Sequence, residues 1–445
     1  MKLLKVAGAI LNQTPMAWEK NKRNILQAIQ EAKARNVSVL CLPELCVSGY
    51  GCEDMFYAPH VLEQSMRILF EVLPHTKGLV TCLGLPLMYQ NRIFNTCALL
   101  ANGKLYGFVA KQFLAGNGIH YEPRWFTPWI TDKFAYLNVH NPITQEEESY
   151  LLGDIYFDVS GIKIGFEICE DAWVAHRPGR SLSNYGVDLI MNPSASHFAF
   201  GKINVRKRFV LEGSRAFGVA YIYSNLLGNE AGRAIYDGGV IIASAGDIAN
   251  IGPRLSFHDV VVTTAVVDIN ANRIAQSQAS MHFDLPPTQK NKISVPFDFP
   301  KIHPEPYDPN ESKWEYSPYI QEEEFVRALA LGLFDYLRKS RSNGFVVSLS
   351  GGADSAAVAC CCYLAIKLGI ESIGLEEFKK KLYHIAAIQE LDSVDQIAQK
   401  LIITAYQPTE NSSKTTETAA RKVAEAISST HFVLNIDSVV KDYRK

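Results

Sequence analysis

The sequence predicts an α/β protein in two parts: a two-layer β structure packed by helices over residues 1–275, and a parallel sheet over residues 321–445. Three observations carry that expectation. In the first part, short apolar runs and helical periodicities mix irregularly, with hairpin turns between some of the runs. In the second, strand and helix patterns alternate one for one, as parallel pairing requires. Between them Pro286, Pro287, Pro296, Pro300, Pro304, Pro306, Pro309 and Pro318 crowd one stretch. Proline fixes φ and removes a donor, so residues 276–320 are expected to be a connector rather than core.

The elements follow in order. Residues 3–10 read as a buried strand. Residues 16–36 have helical spacing, with Trp18, Ile25, Leu26 and Ile29 on one side. Val37–Leu42 is an apolar run ending at Pro43, so a strand delivers Glu44 at its C-terminal end. Residues 93–111 form a hairpin turning at Asn102-Gly103, a pair suited to positive φ, and Lys111 follows it. A second hairpin turns at Ser160-Gly161 and delivers Cys169. Val187–Met191 is a strand closed by Asn192-Pro193. A helix over 204–218 precedes strands at 219–225, 239–243 and 260–267. After the connector come a helix over 322–337, a strand at 344–349, a glycine loop with a helix through Leu368, a strand at 401–406, a helix over 415–428 and a strand at 431–436. Residues 369–395 carry no clear pattern.

Composition narrows the class. Apolar residues make up 47% and charged residues 20% of the 445, an ordinary globular balance with room for two or three domains. A net charge of -2 argues against a general nucleic-acid binder. No window approaches the roughly 18 uncharged apolar residues of a membrane span. Asn12 and Gln13 interrupt the first apolar run, which reads as a strand rather than a signal peptide. The nine cysteines are odd in number and irregular in spacing, which fits reduced thiols and a cytoplasmic location. The run Cys360–Cys362 reads as small apolar filler on a helix.

Three strand ends carry complementary groups. Amide hydrolysis needs a nucleophile, a base and a group to hold the oxyanion. Cys169, in Phe-Glu-Ile-Cys-Glu-Asp-Ala-Trp (166–173), offers sulfur. Glu44, in Pro-Glu-Leu-Cys-Val-Ser-Gly-Tyr (43–50), is placed to take the thiol proton if burial raises its pKa. Lys111 is placed to neutralise the oxyanion. A buried thiol and two solvated rim charges would explain each residue singly.

These strings resemble those of the nitrilase (carbon-nitrogen hydrolase) superfamily over roughly residues 1–270. The resemblance implies a nitrilase-like α-β-β-α sandwich, with Glu44 as general base, Lys111 as the oxyanion-stabilising lysine and Cys169 as acyl-forming nucleophile. It matches Glu122, in Tyr-Glu-Pro-Arg-Trp-Phe (121–126), to the second glutamate of the family, which orients the lysine or assists proton transfer. A chemically idle ion pair with Arg124 or Lys111 is the alternative. Glutamine-hydrolysing members point to Ser196 and Lys202 as glutamine contacts; a polar turn and a solvated lysine explain them equally. Where those relatives carry a tyrosine six residues after the lysine, this chain has Asn117.

The stretch Ser348, Leu349, Ser350, Gly351, Gly352, Ala353, Asp354 and Ser355 follows a strand and opens a helix. Glycines admit a phosphate close to the backbone, and the helix N-terminus adds positive potential. No Gly-Lys-Ser/Thr follows, so it is not a Walker A loop. It resembles the Ser-Gly-Gly-x-Asp-Ser loop of ATP pyrophosphatases, implying ATP, with Asp354 either assisting Mg2+ or capping amides. The Asn-Ser-Ser-Lys-Thr-Thr run at 411–416 resembles that of glutamine-dependent NAD+ synthetases, and the domain order extends the likeness to nearly the whole chain. Asn411 and Thr416 become candidates for the deamido-NAD+ or ATP pocket; a helix N-cap cluster explains them as well. The resemblance implies glutamine, ATP and deamido-NAD+ as substrates, a protected ammonia path and a homo-oligomer. It also implies a doubly wound second sheet, of which only about three strands are expected here, so the domain looks incomplete. Another ATP-pyrophosphatase amidotransferase, or a non-catalytic nucleotide-binding scaffold, competes with this reading.

Overall fold

The computed structural model describes residues 2–278, 290–306 and 312–443. The chain divides into two units, Met1–Glu315 and Tyr316–Lys445.

In the first unit two sheets stack face to face. The eight-stranded sheet has Leu3–Leu11 between Val260–Asp268, antiparallel, and Val39–Cys41, parallel; Val80–Tyr89, Arg92–Ala101 and Lys104–Ala110 follow outward. The seven-stranded sheet is centred on Ile162–Phe166, Leu189–Ser194 and Ala220–Asn225, which run parallel. The strands Leu3–Leu11 and Val260–Asp268 of the first sheet pack on Ala220–Asn225 and Val240–Ser244 of the second. Trp18–Ala34 and Pro59–Val72 cover the outer face of the first sheet, and Lys202–Phe217 covers the second. The result is an α-β-β-α sandwich. At Gly8 the layers touch: a Cβ there would lie 2.6 Å from Val240 Cγ1.

The local readings fare unevenly. Both hairpins form, turning at Asn102-Gly103 (φ 50° and 81°) and Ser160-Gly161 (φ 46° and 82°). The helix Trp18–Ala34 buries Asn21, Ile25, Ala28, Ile29 and Ala32, while Trp18 and Leu26 are only partly covered. The strand expected to close at Asn192-Pro193 instead runs on through Ser194, pairing with Ser224 and Asn225. The prolines do not keep the connector out of the core. Lys292–Val295 adds a parallel strand beside Tyr156–Val159, Val295 and Phe297 are buried, and Lys5 pairs with Glu305 at 2.7 Å. Apolar Ile293, Val295 and Phe297 at alternate positions outweigh the flanking prolines. Pro286, Pro287 and Pro309 lie outside the described residues.

The second unit has three parallel strands in sequence order, Phe345–Ser348, Ile402–Tyr406 and Thr430–Val433. Helices Ala353–Ile373, Val394–Leu401 and Lys414–Ala426 pack beside them, with Ile320–Ser340 against the first. The unpatterned stretch becomes the end of Ala353–Ile373, the short helix Leu375–Lys381, and a turn leading to Val394. Phe378 anchors it by stacking on Phe334, ring centroids 5.2 Å apart. By length and composition Ala353–Ile373 is apolar enough to cross a membrane, contrary to the sequence reading; here it packs among four other helices of its unit.

Candidate active site

Glu44, Lys111 and Cys169 each leave the C-terminal end of a strand, the first two from the eight-stranded sheet and Cys169 from the seven-stranded one. The fold brings them together. Lys111 Nζ donates to Glu44 Oε1 at 2.6 Å and to Glu122 Oε1 at 2.8 Å, and all three side chains are at most 1% exposed. Glu44 is held on both oxygens, by Asn95 Nδ2 at 2.8 Å and the Ala195 amide at 2.9 Å. Glu122 is held by Tyr50 Oη at 2.7 Å and the Ala115 amide at 2.9 Å. Its ion pair is therefore with Lys111; Arg124 turns away to Asp54.

Cys169 starts a 3-10 turn at φ 47°, a left-handed conformation costly for a non-glycine residue. Asp171 secures that turn. It accepts from Ile168 N at 2.9 Å with one oxygen, and from Gln112 N at 3.1 Å and Phe113 N at 2.8 Å with the other. One buried carboxylate thus ties the segment after Lys111 to the segment bearing Cys169. Gly84 acts similarly on Glu44: a Cβ there would sit 2.4 Å from Leu45 N.

Burial raises the pKa of Glu44 to about 7 against the opposing pull of Lys111, with Glu122 adding to the rise. Burial also raises the Cys169 thiol, and Glu44 reinforces it while Lys111 opposes. For Lys111 burial favours the neutral form, but the facing Glu122 and Glu44 outweigh it and hold the ammonium. The resting arrangement is a protonated thiol beside a carboxylate that titrates near neutrality and a fixed cation. It can transfer a proton from sulfur to carboxylate and stabilise a developing oxyanion.

Cys169 opens on a cleft lined by Asn117, Ser196 and Lys202, the three residues singled out for a glutamine head group, together with His120, Glu170, Trp173 and His197. Lys202 Nζ lies 5.4 Å above the Trp173 ring, and burial lowers its pKa to about 8. The Ser196 hydroxyl is already engaged, accepting from buried Arg206 Nη2 at 3.1 Å. Arg206 also binds Asp237 at 2.7 Å and His197 O at 2.9 Å, and Asn225 binds Ser196 through both backbone groups. Asn95, Asp171, Arg206 and Asn225 escaped the sequence reading. Only Asp171 left a signal, lying two residues past the cysteine.

In the second unit the loop forms as expected between Phe345–Ser348 and Ala353–Ile373. Gly351 has φ 81°, and a Cβ there would meet Thr416 O at 2.4 Å, which places Thr416 against the loop. The Ser350 and Ser355 hydroxyls lie 3.0 Å apart, and Ser348 and Asp354 are exposed. Leu349 is buried with its amide bound to Ala405 O at 2.8 Å, so neither its side chain nor its N–H faces a ligand. Ser413 caps the helix Lys414–Ala426 by accepting from Thr416 N, the N-cap alternative for this cluster; Asn411 is exposed on the preceding loop. Gly351 and Gly352 have no Cβ to obstruct the first turn of a 21-residue helix, which suits a phosphate. Among the described residues no group of three His, Cys, Asp or Glu is arranged to hold a metal ion.

Residues 5–278 match the carbon-nitrogen hydrolase family, and residues 325–445 match the NAD synthase family. A glutamine-dependent NAD(+) synthetase of Oryza sativa subsp. indica is 33% identical over 99% of this chain and 61% of its own length. That of Homo sapiens is 32% identical over 98% and 63%. The crystal structure of a glutamine-dependent NAD(+) synthetase from Cytophaga hutchinsonii superposes with a TM-score of 0.81 at 37% identity, covering 99% of this chain and 66% of that one. The Acinetobacter baumannii enzyme, solved with ADP, shares the fold with a TM-score of 0.68 at 20% identity. The chain thus spans a little over six tenths of the length of the curated relatives it matches.

Proposed function

Because the chain belongs to the carbon-nitrogen hydrolase family, we propose that its first unit hydrolyses glutamine and that the whole serves glutamine-dependent NAD+ synthesis. The observation that carries this reading is the buried Glu44–Lys111–Glu122 trio beside Cys169, in one cleft with Asn117, Ser196 and Lys202. Cys169 Sγ attacks the side-chain carbonyl of glutamine while Glu44 takes the thiol proton. Lys111 and neighbouring amides hold the oxyanion. Glu44 returns its proton to the departing nitrogen, leaving a γ-glutamyl thioester and ammonia. Glu44 next deprotonates a water, which hydrolyses the thioester and restores the thiol. Glu122 keeps Lys111 charged and aimed. Lys202 meets the substrate α-carboxylate, and Glu170, missed in the sequence, meets its α-ammonium.

In the second unit Ser350–Ser355 would cradle the phosphates of ATP, with Mg2+ as their counter-ion near Asp354. ATP adenylates the nicotinate carboxylate of deamido-NAD+, releasing pyrophosphate, and ammonia displaces AMP to give NAD+. Thr416, against the loop, and Asn411 are the contacts we assign to the nucleotide substrates. The NAD synthase match and the ADP complex of the Acinetobacter baumannii relative support ATP as substrate.

Glutamate release from glutamine tests the first half directly. Cys169→Ala is expected to reduce it to background; equal turnover in both proteins would remove Cys169 from the chemistry and favour a scaffold. Pyrophosphate formation from ATP and deamido-NAD+ with added ammonia tests the acceptor.

A further inference from the structure

Glu122 is one end of a hydrogen-bond chain that the glutaminase chemistry above does not use. Tyr50 Oη lies 2.7 Å from Glu122 Oε1 and 3.0 Å from His120 Nδ1, and His120 Nε2 lies 2.8 Å from His197 Nδ1. The two imidazoles are tilted with centroids 4.9 Å apart, and His197 lines the cleft beside Cys169. An ionised carboxylate can only accept, so the chain has one polarity. Tyr50 must donate to Glu122. Its oxygen must then accept from His120 Nδ1–H, which leaves His120 Nε2 to accept from His197 Nδ1–H; Lys202 Nζ, 3.3 Å and 3.4 Å from the two nitrogens of that ring, then donates to the unprotonated Nε2. Each donor points toward the carboxylate, and each link polarises the next.

We propose that Tyr50 and His120 are positioning residues for the hydrolytic reaction: His120 orients the Tyr50 hydroxyl, which holds Glu122 and through it the aim of Lys111. The proposal rests on the glutaminase reading of the site. Without the Tyr50 hydroxyl, Glu122 Oε1 keeps the bond from Lys111 and Oε2 the bond from the Ala115 amide, and the carboxylate loses the third anchor that fixes its plane. His120 stays neutral across the working range, since burial first, and then His197, Lys111 and Lys202, lower its pKa to about 3. Neutral His120 retains the one N–H and the one lone pair the chain needs. Burial, Lys202 and Arg206 do the same for His197, at about 4. Tyr50 itself is buried and packs edge-on to His120 and Tyr236, so its ring is held without the hydroxyl.

The test is glutamine hydrolysis by the full chain carrying Tyr50→Phe, His120→Leu, His120→Asn, or the first two together. One charge-assisted hydrogen bond corresponds to a roughly tenfold factor. Tyr50→Phe and His120→Leu are each expected to lower kcat about tenfold with KM within about twofold. The double variant should lose no more than either single one, because His120 acts through Tyr50. His120→Asn, whose amide N–H stands where Nδ1–H stood, should recover most of the kcat. Multiplying losses in the double variant, equal losses for Asn and Leu, a change confined to KM, or no change at all would each overturn the proposal. A wild-type chain that does not hydrolyse glutamine would instead overturn the functional reading and take this one with it.

Discussion

Single side chains set the chemistry, and their ionisation can be checked. Glu44 must be ionised to accept the Cys169 proton, and burial holds its pKa up to about 7. Glutamine hydrolysis is therefore expected to fall about tenfold per pH unit below that value and to level off above it. His120 and His197, at about 3 and 4, do not titrate in that window. A pH–rate profile lacking an acid limb near 7 would remove Glu44 as the base. Lys111→Met leaves Glu44 and Glu122 buried and facing with no cation between them. Chemical denaturation should show a loss of about 3–5 kcal/mol, the cost of breaking a buried pair from one side, together with loss of turnover. At this scale the sequence was most informative for groups whose neighbours in the chain form a distinctive string, such as Glu44 and Cys169, or a clear hairpin, such as the one that delivers Lys111. Asn95 and Arg206 carried no such mark. Asn95 reaches Glu44 from another strand of the same sheet, and Arg206 reaches Ser196 from the helix that covers the second sheet; nothing adjacent to them in sequence records those partners.

Elements set where those side chains stand. The hairpins were legible because Asn102-Gly103 and Ser160-Gly161 supply the positive φ that tight turns need. The strand Lys292–Val295 was not, because four residues of weak alternation among prolines say nothing of the edge strand Tyr156–Val159 that accepts them. Gly84 shows how an element reaches the site. A methyl there meets the Leu45 amide at 2.4 Å, backbone against strand, with no flexible side chain to yield. Gly84→Ala is expected to displace Glu44, destabilise the chain by about 1–3 kcal/mol and cut glutamine hydrolysis more than tenfold, read by denaturant melts and glutamate release. A variant with wild-type turnover would show that the strand absorbs the methyl.

Across the whole molecule, each constellation lies within one unit: Glu44, Lys111 and Cys169 in Met1–Glu315, and the glycine loop with Thr416 in Tyr316–Lys445. Gly351→Ala, which adds a methyl 2.4 Å from Thr416 O at a positive φ, should therefore weaken ATP binding, measured by calorimetry, and spare glutamine hydrolysis. Loss of both activities would contradict that separation. The division into two α/β parts was legible in the alternation of strands and helices. Its boundary was not, because the proline-rich stretch returns to the first unit, where Arg254 binds Glu315 at 2.8 Å. The layering has one further effect. Glu44 and Lys111 hang from one sheet and Cys169 from the other, so the gap between sulfur and base is set by how closely the two sheets are stacked. A Cβ added at Gly8 would lie 2.6 Å from Val240 Cγ1, so that gap has no slack. A side chain at position 8 would act as a shim under the reaction centre, slowing turnover in a protein whose pocket residues are all unaltered.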